Sequence, residues 1–308
     1  MSNYRRASAL YTFFYPNSAY KYNEEQRKAA RKDDDVKLKK VYGLIFEIQE
    51  HDFALAGRTL MNDRDRAKQK SITDYLPLHL AVYERSPYEL IELLIDAYPQ
   101  ALRQRDPKNH LPIHIASRDD TVLLSIIQLI IKWWPDALHE RDPNDDLPVH
   151  MTIRHRLPTE ISTHMLDIYP QSKEMTDKDG NTLLHMAVRF RSNYDFIMYL
   201  LRIYPDAINR KNNAGDLPFH RACIFNASLD LLTKLYEMNT KVLKVTDKEG
   251  NLPIHLYFMQ LKGAAPNEEI LHFFVEPFPE SIGKKNKQGH TPFAILDNYH
   301  EMLGKYKC

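Results

Sequence analysis

Apolar residues recur at helical spacing along most of the chain, and all but one of these runs end at an aromatic residue followed by proline. Three runs place them nine, five and two residues before the proline: Leu90, Leu94, Ala97; Ile126, Ile130, Trp133; and Phe196, Leu200, Ile203. This spacing puts the apolar side chains on one face of an α-helix. Because proline disfavours the α conformation of the residue before it, we expect each helix to end there.

A second pattern, most often Leu-Pro-apolar-His, recurs in step with the first. The histidines, at intervals of 35 or 36 residues, are His79, His114, His150, His185, His220 and His255. A seventh unit has Ala294 in the histidine position, after the longer loop 262–269. Proline favours the first turn of a helix, so a short helix should begin at each of these markers.

A turn should precede each marker, because the fifth residue before it is always Gly, Asn or Asp. The seven residues are Asp74, Asn109, Asp145, Gly180, Gly215, Gly250 and Gly289. These residue types adopt a left-handed backbone most readily. Each unit is therefore predicted to be a turn, a short helix and a longer helix.

The segments "DKDGNTLLHMAV" at 177–188 and "DKEGNLPIHLYF" at 247–258 resemble the ankyrin repeat, whose hallmark is D-x-x-G-x-T-P-L-H-x-A. The resemblance covers about residues 71–308, in about seven units. It implies an all-α fold, an ankyrin-type α-solenoid of helix-turn-helix repeats with short β-turn fingers. The period of 35 instead of 33 and the aromatic-proline helix ends look like ankyrin arrays of some unicellular algae.

The marker histidines raise the question of a metal site. Packed helices lie about 8–10 Å apart, whereas zinc holds its nitrogen ligands at about 2.0–2.1 Å, so neighbouring markers cannot share an ion. In the family, the threonine hydroxyl and the histidine ring support the turn. Leucine replaces threonine in most units, so there the ring must bind backbone groups. We expect a structural role, with no metal and no cofactor.

The first seventy residues lack the repeat markers. Residues 1–23 contain no acid, three bases and seven aromatics, which is typical of a flexible tail or a docking segment; a transit peptide is the alternative. From residue 24 to 70 the pattern is helical, with Val41, Leu44, Ile45 and Ile48 on one face. Since a solenoid needs a partly polar cover, we interpret 24–70 as a degenerate helical N-terminal cap.

Composition excludes several classes of protein. Lys+Arg 42 against Asp+Glu 41 leaves a net charge of +1, which makes a nucleic-acid partner unlikely. The run "VLLSIIQLII" at 122–131 is half a membrane span. Two cysteines, Cys223 and Cys308, suit a reducing compartment, so we expect an intracellular, cytoplasmic protein.

No catalytic arrangement emerges from the motifs. Neither G-x-S-x-G nor H-E-x-x-H occurs, and there is no phosphate-binding glycine loop. The segment "DPNDD" at 142–146 lacks the closing glutamate of a calcium loop, so a turn is the better interpretation. We predict a non-enzymatic protein with no small-molecule substrate.

In ankyrin proteins, partners bind along the turn tips and the first helix, which the resemblance maps to positions four and five past each marker. The candidate protein-binding residues are Tyr83, Arg118, Arg154, His155, Arg189, Phe190, Ile224, Phe225 and Met259. Three consecutive units offer arginine and the next two offer apolar side chains. This order fits an acidic-apolar segment of another protein, and we expect these side chains to point away from the neighbouring helices. An ordinary solvated surface is the alternative.

The resulting prediction is an adaptor or scaffold that binds a partner along the concave face of the array. Two other functions stay open. The chain could be an effector or regulatory subunit whose activity lies in residues 1–70 or in a partner, or it could be a nucleic-acid-binding array.

Overall fold

The structure is a computed structural model that describes residues 43–71, 73–119 and 124–295. The predicted tail at 1–23 and the first part of the predicted cap lie outside these residues. One compact unit comprises the described residues up to Ala116 together with Ser125–Ala137, and the other comprises those of Ser117–Leu124 and Leu138–Cys308. The predicted all-α class is confirmed, because the only strand-like pairing in the described residues is an isolated bridge between Thr176 and Thr182.

Each repeat has a first helix that begins at the marker and a second helix that ends before the aromatic residue. A helix at Phe53–Asn62, α1, precedes them. The first helices are α2 Pro77–Tyr83, α4 Pro112–Ala116, α6 Pro148–Arg154, α8 Leu183–Arg189, α10 Pro218–Ile224 and α12 Pro253–Leu261. The second helices are α3 Tyr88–Ala97, α5 Leu124–Trp133, α7 Thr159–Ile168, α9 Tyr194–Ile203, α11 Leu229–Met238 and α13 Glu268–Val275.

The turn before each first helix is closed by its own first side chain. In the turn 177–181, one carboxylate oxygen of Asp177 accepts the backbone N–H groups of Asp179 and Asn181, at 3.0 and 2.9 Å. The same arrangement recurs at Asp106, Asp142, Asn212 and Asn286. The predicted left-handed residue is confirmed in all seven turns, with φ between +64° and +82°.

Successive turns of the second unit are joined through their backbones. The N–H groups of Asn213, Lys248 and Lys287 donate to the carbonyls of Asp179, Ala214 and Glu249, at 2.9, 3.0 and 3.0 Å. This close approach leaves no room for a side chain: a Cβ atom on Gly215 would lie 2.8 Å from the backbone nitrogen of Lys248. Glycine is therefore required there by both its positive φ and its neighbour.

In four units the marker histidine connects the first helix to the following repeat. In His185, Nδ1 accepts the backbone N–H and the hydroxyl of Thr182, at 3.2 and 2.8 Å, so Nε2 carries the proton and donates to the carbonyl of Asp216 at 3.0 Å. The rings of His79, His220 and His255 likewise join a leucine N–H to a carbonyl of the next repeat. Where leucine replaces threonine, the histidine ring has backbone partners, as expected.

Each aromatic-proline pair ends a second helix and begins a 3₁₀ helix. The aromatic residue is the C-cap, with φ of −146° at Tyr98 and −145° at Tyr204. The 3₁₀ helices that start at the proline are Pro99–Arg103, Pro135–His139, Pro170–Glu174, Pro205–Asn209 and Pro279–Gly283. The repeat that has Thr240 in place of proline forms a shorter one, Val242–Lys244.

First helices also end in a left-handed residue, which the sequence does not signal. Its φ is +56° at Arg85, +58° at Arg156, +56° at Arg191 and +52° at Asn226. The next N–H reaches back five residues, as from Ser192 to the carbonyl of Ala187 at 2.9 Å, which defines a Schellman motif. Glycine usually occupies this position, and its absence hid the motif in the sequence.

The described part of the predicted cap has the element order of a repeat. Residues 43–49 are helical, His51 is left-handed with φ +59°, α1 follows, and a 3₁₀ helix spans Arg64–Lys68. Leu44, Ile45 and Ile48 are buried, as the helical pattern predicts. This segment lacks the marker, but it stacks α1 on α3 as one second helix on the next.

Within the second unit the first helices form the buried layer. Helix α8 packs on α6 and α10, and α10 packs on α12, while α9 and α11 lie against their own first helices. In α8 every residue from Leu183 to Val188 is buried, and only the last one, Arg189, is partly exposed. In the first unit, α2 packs on α3 and α4.

Candidate protein-binding site

The predicted binding residues lie where the buried first helices reach the surface. Arg154, Arg189 and Ile224 are the last residues of α6, α8 and α10, and each is followed by the C-cap of its helix, His155, Phe190 or Phe225. All six are half-buried, and Met259 of α12 is 37% exposed. We call these seven residues the helix-end surface.

Tyr83 lies at the same position of α2, in the first unit. Its hydroxyl donates to the carboxylate of Asp106 at 2.9 Å. Arg118 follows α4 and is exposed. Burial, together with the positive charges of Arg118 and Arg154, lowers the pKa of His155. His155 is therefore neutral at pH 7.

Arg154 does not point away from the fold, and this part of the sequence prediction is wrong. Its guanidinium donates to the carboxylate of Asp146 at 2.9 Å and lies 3.5 Å from that of Asp177. Both carboxylates are nearly inaccessible, with 3% and 2% of the side chain exposed. Two buried charges need a cation, so the arginine at this position is a structural requirement.

The pKa shifts of the pair show which force dominates at each group. Burial disfavours the charged form of Arg154, but the hydrogen bond and charge of Asp146 outweigh it and raise the pKa of the arginine. Burial raises the pKa of Asp146, and the hydrogen bond and charge of Arg154 oppose this shift only in part. Arg154 thus stays charged and brings little net charge to the surface.

Arg189 has a different environment, made of aromatic rings. Its guanidinium carbon lies 5.2 Å from the ring centroid of Phe190 and 5.7 Å from that of Phe225. Phe190 also contacts Arg154, whose guanidinium carbon lies 5.6 Å from the centroid of its ring. In the described part of the chain, Arg189 has no ion pair within 4.0 Å and no hydrogen bond. The rings hold the guanidinium while its N–H groups stay available to a ligand.

Beyond Phe225 the helix-end surface is apolar. Ile224 is half-buried at the end of α10, and Met259 is exposed one repeat further on. The neighbouring polar side chains bind each other: the Gln260 amide donates to Asn226 at 3.4 Å. From Arg189 onward the side chains of this surface change from basic to apolar. Arg154 is already paired with Asp146.

Two arginines that support this surface were missed in the sequence. Arg191 donates to the backbone carbonyl of Phe225 at 3.1 Å and so joins the ends of two successive first helices. Arg221 lies 3.3 Å from the buried carboxylate of Asp216 and repeats the role of Arg154 two repeats later. Arg191 could have been singled out because it lies six residues after its marker histidine, the position of Arg85, Arg156 and Asn226 in other units.

The comparisons with known proteins agree with the geometry. The ankyrin repeat family model matches residues 179–213, the unit in which Thr182 keeps the threonine of the hallmark. The structure is similar to the ankyrin repeat domain of Bcl-3, described as a unique member of the IkappaB protein family. The TM-score is 0.54 at 22% identity, over 75% of this chain and 98% of that one. No curated protein sequence matches the chain.

The described residues were compared with what a membrane span and a metal site require. None of the helices there is both long enough and apolar enough to cross a membrane. In the same part of the chain no three His, Cys, Asp or Glu side chains converge as metal ligands would. The repeat fold and the ankyrin match are shown, and ankyrin repeats generally mediate protein–protein interactions.

Proposed function

We propose that this chain, which carries ankyrin repeats and has their fold, is a non-enzymatic intracellular adaptor that binds a partner protein along the helix-end surface. The observation that supports this most is Arg189. Almost all of its helix is buried, yet its guanidinium carbon lies 5.2 and 5.7 Å from two phenylalanine ring centroids and has no carboxylate partner among the described residues. A cation fixed in this way and flanked by apolar side chains fits an acidic-apolar segment of another protein.

A capture experiment with a matched pair of variants tests the proposal. Arg202 lies on α9, the second helix of the same repeat, and its guanidinium carbon lies 5.5 Å from the ring centroid of Tyr199. It is exposed, contacts an aromatic ring as Arg189 does, and lies outside the helix-end surface. Immobilised wild-type protein and the R202E variant should retain the same partner from a lysate of the native cells. R189E should lose it without a change in melting temperature. Equal retention by R189E and wild type would place the partner elsewhere.

A nucleic-acid-binding array is the less favoured alternative. The carboxylates of Asp146, Asp177 and Asp216 lie beside the arginines of the first helices and oppose a polyanion. Catalysis in residues 1–70 has no support from the described part of that segment, which supplies packed helices with Leu44, Ile48 and Leu60 in the core.

A further inference from the structure

We propose that the partner segment is an extended segment in the polyproline II conformation, in which one carboxylate side chain is followed or preceded, three residues away, by a large apolar side chain. This inference rests on the proposed function and makes it more specific. The carboxylate binds Arg189, and the apolar side chain lies on Ile224 and Phe225 of the next repeat.

The position of the carboxylate follows from which arginine is available. Arg154 already binds Asp146 and lies near Asp177, so a further anion there would meet two carboxylates. Arg189 has no such partner among the described residues, and its guanidinium carbon lies 5.2 and 5.7 Å from the ring centroids of Phe190 and Phe225. A planar guanidinium in this state can donate two parallel hydrogen bonds to one carboxylate.

The identity of the anion follows from the charges around it. Of the three arginines in the first helices of the second unit, Arg154 and Arg221 each face a buried aspartate, and only Arg189 has no carboxylate partner among the described residues. The nearby Arg191 donates to the backbone carbonyl of Phe225. One carboxylate matches the single charge of Arg189, whereas a phosphate, with a charge of about −1.5 to −2 at pH 7, would be left partly uncompensated.

The apolar contact lies one repeat further along. Ile224 and Phe225 are half-buried, and Met259 continues the surface at 37% exposure. On the other side, His155 is neutral and Arg154 is paired, so that direction offers no apolar continuation. The apolar residue of the partner therefore lies toward α10 and α12.

The spacing follows from the repeat. Packed helices lie about 8–10 Å apart. In the extended polyproline II conformation the chain advances about 3.1 Å per residue with three residues per turn, so three residues span one repeat and bring the side chain back to the same face. Side chains at positions i and i+3 therefore reach Arg189 and Phe225. An α-helix rises 1.5 Å per residue and would need about seven residues for the same distance.

Selection from a library of random 12-residue peptides displayed on phage tests the inference directly. The full chain is the target, and a double variant, R189Q with F225A, serves for counter-selection. Peptides that survive should share an acidic residue and a Leu, Ile, Met or Phe three positions from it. The enriched peptide, made synthetically, should bind at least tenfold more weakly when its acid is changed to Gln or to phosphoserine, and R189Q should erase the difference between acid and Gln.

Several outcomes would overturn the inference. They are an acid-to-apolar spacing of seven, tighter binding of the phosphoserine peptide, and no enrichment over the double variant. The same results leave the adaptor proposal standing if R189E still abolishes capture of the native partner. If R189E captures that partner normally, the proposed function itself fails, whatever the library yields.

Discussion

At the scale of single residues, two arginines at the same position of successive repeats have opposite roles. Arg154 neutralises buried aspartates, while Arg189 contacts the rings of Phe190 and Phe225 and has no carboxylate partner among the described residues. The position in the repeat is identical, so the difference comes from the surroundings. Asp146 lies four residues before the marker histidine of its unit, and the unit of Arg189 has Asn181 at that position.

This difference predicts unequal costs for the same substitution. Arg154→Met leaves Asp146 and Asp177 buried without a cation and should lower the free energy of unfolding by about 2–4 kcal/mol, given that the side chain is 28% exposed. Arg189→Met loses only ring contacts, worth about 0.5–1 kcal/mol. Urea denaturation followed by circular dichroism measures both, and equal destabilisation would show that Arg154 is not structural.

At the scale of elements, the turns decide how closely repeats can approach. Gly215 and Gly289 have the same φ of +82°, but only Gly215 faces the backbone of a following turn. At Gly289 nothing lies within 4 Å of the position that a Cβ atom would take. The pair separates the cost of a left-handed backbone from the cost of a close neighbour.

Gly215→Ala should therefore destabilise the protein markedly more than Gly289→Ala. Both pay for a side chain at positive φ, about 1–2 kcal/mol. Gly215→Ala also forces apart the bonded turns at Ala214 and Lys248, which should at least double the loss. Thermal melts of the two variants give the comparison, and if Gly289→Ala proves as costly, the turn contact contributes nothing.

The sequence was informative about those elements whose residue types have a strong backbone preference. Gly, Asn and Asp marked the left-handed turns, and proline marked the helix starts and ends. The left-handed residues after the first helices were invisible because three of them are arginine, which has no preference for that conformation. Residues 43–68 were interpreted as a cap because the marker histidine is missing, although backbone and packing follow the repeat.

The site was less predictable than the fold for a similar reason. Period and resemblance located the ends of the first helices, which are the partly exposed residues of a buried layer. Whether an arginine there is paired depends on single residues of the turns, Asp146 in its own unit and Asp177 in the next one for Arg154. The markers that define the repeat do not include those residues.

At the scale of the whole molecule, the buried histidines couple stability to pH. Burial lowers the pKa of His150, His185 and His220 from 6.5 to about 4. Between these values the unfolded chain binds protons that the folded chain does not. The stabilisation is therefore complete above about pH 6.5 and is lost as the pH falls toward 4.

We expect the free energy of unfolding to fall between pH 6.5 and 4 by up to about 1.4 kcal/mol per pH unit for each of the three histidines. A His185→Gln variant should be less stable at pH 7 but should show a shallower pH dependence, by about one proton. Urea titrations at pH 7, 6 and 5 measure both slopes. A wild-type stability that is constant across this range would contradict the buried neutral state of these rings.

Site-specific photo-crosslinking tests most directly whether partners bind the helix-end surface. Met259 on α12 and Met238 on α11 are 37% and 40% exposed, so a benzophenone amino acid can replace either one with similar disturbance. After irradiation in a lysate of the native cells, the variant at 259 should give one discrete cross-linked partner, and R189E should remove it. A partner cross-linked at 238 and not at 259 would contradict the account.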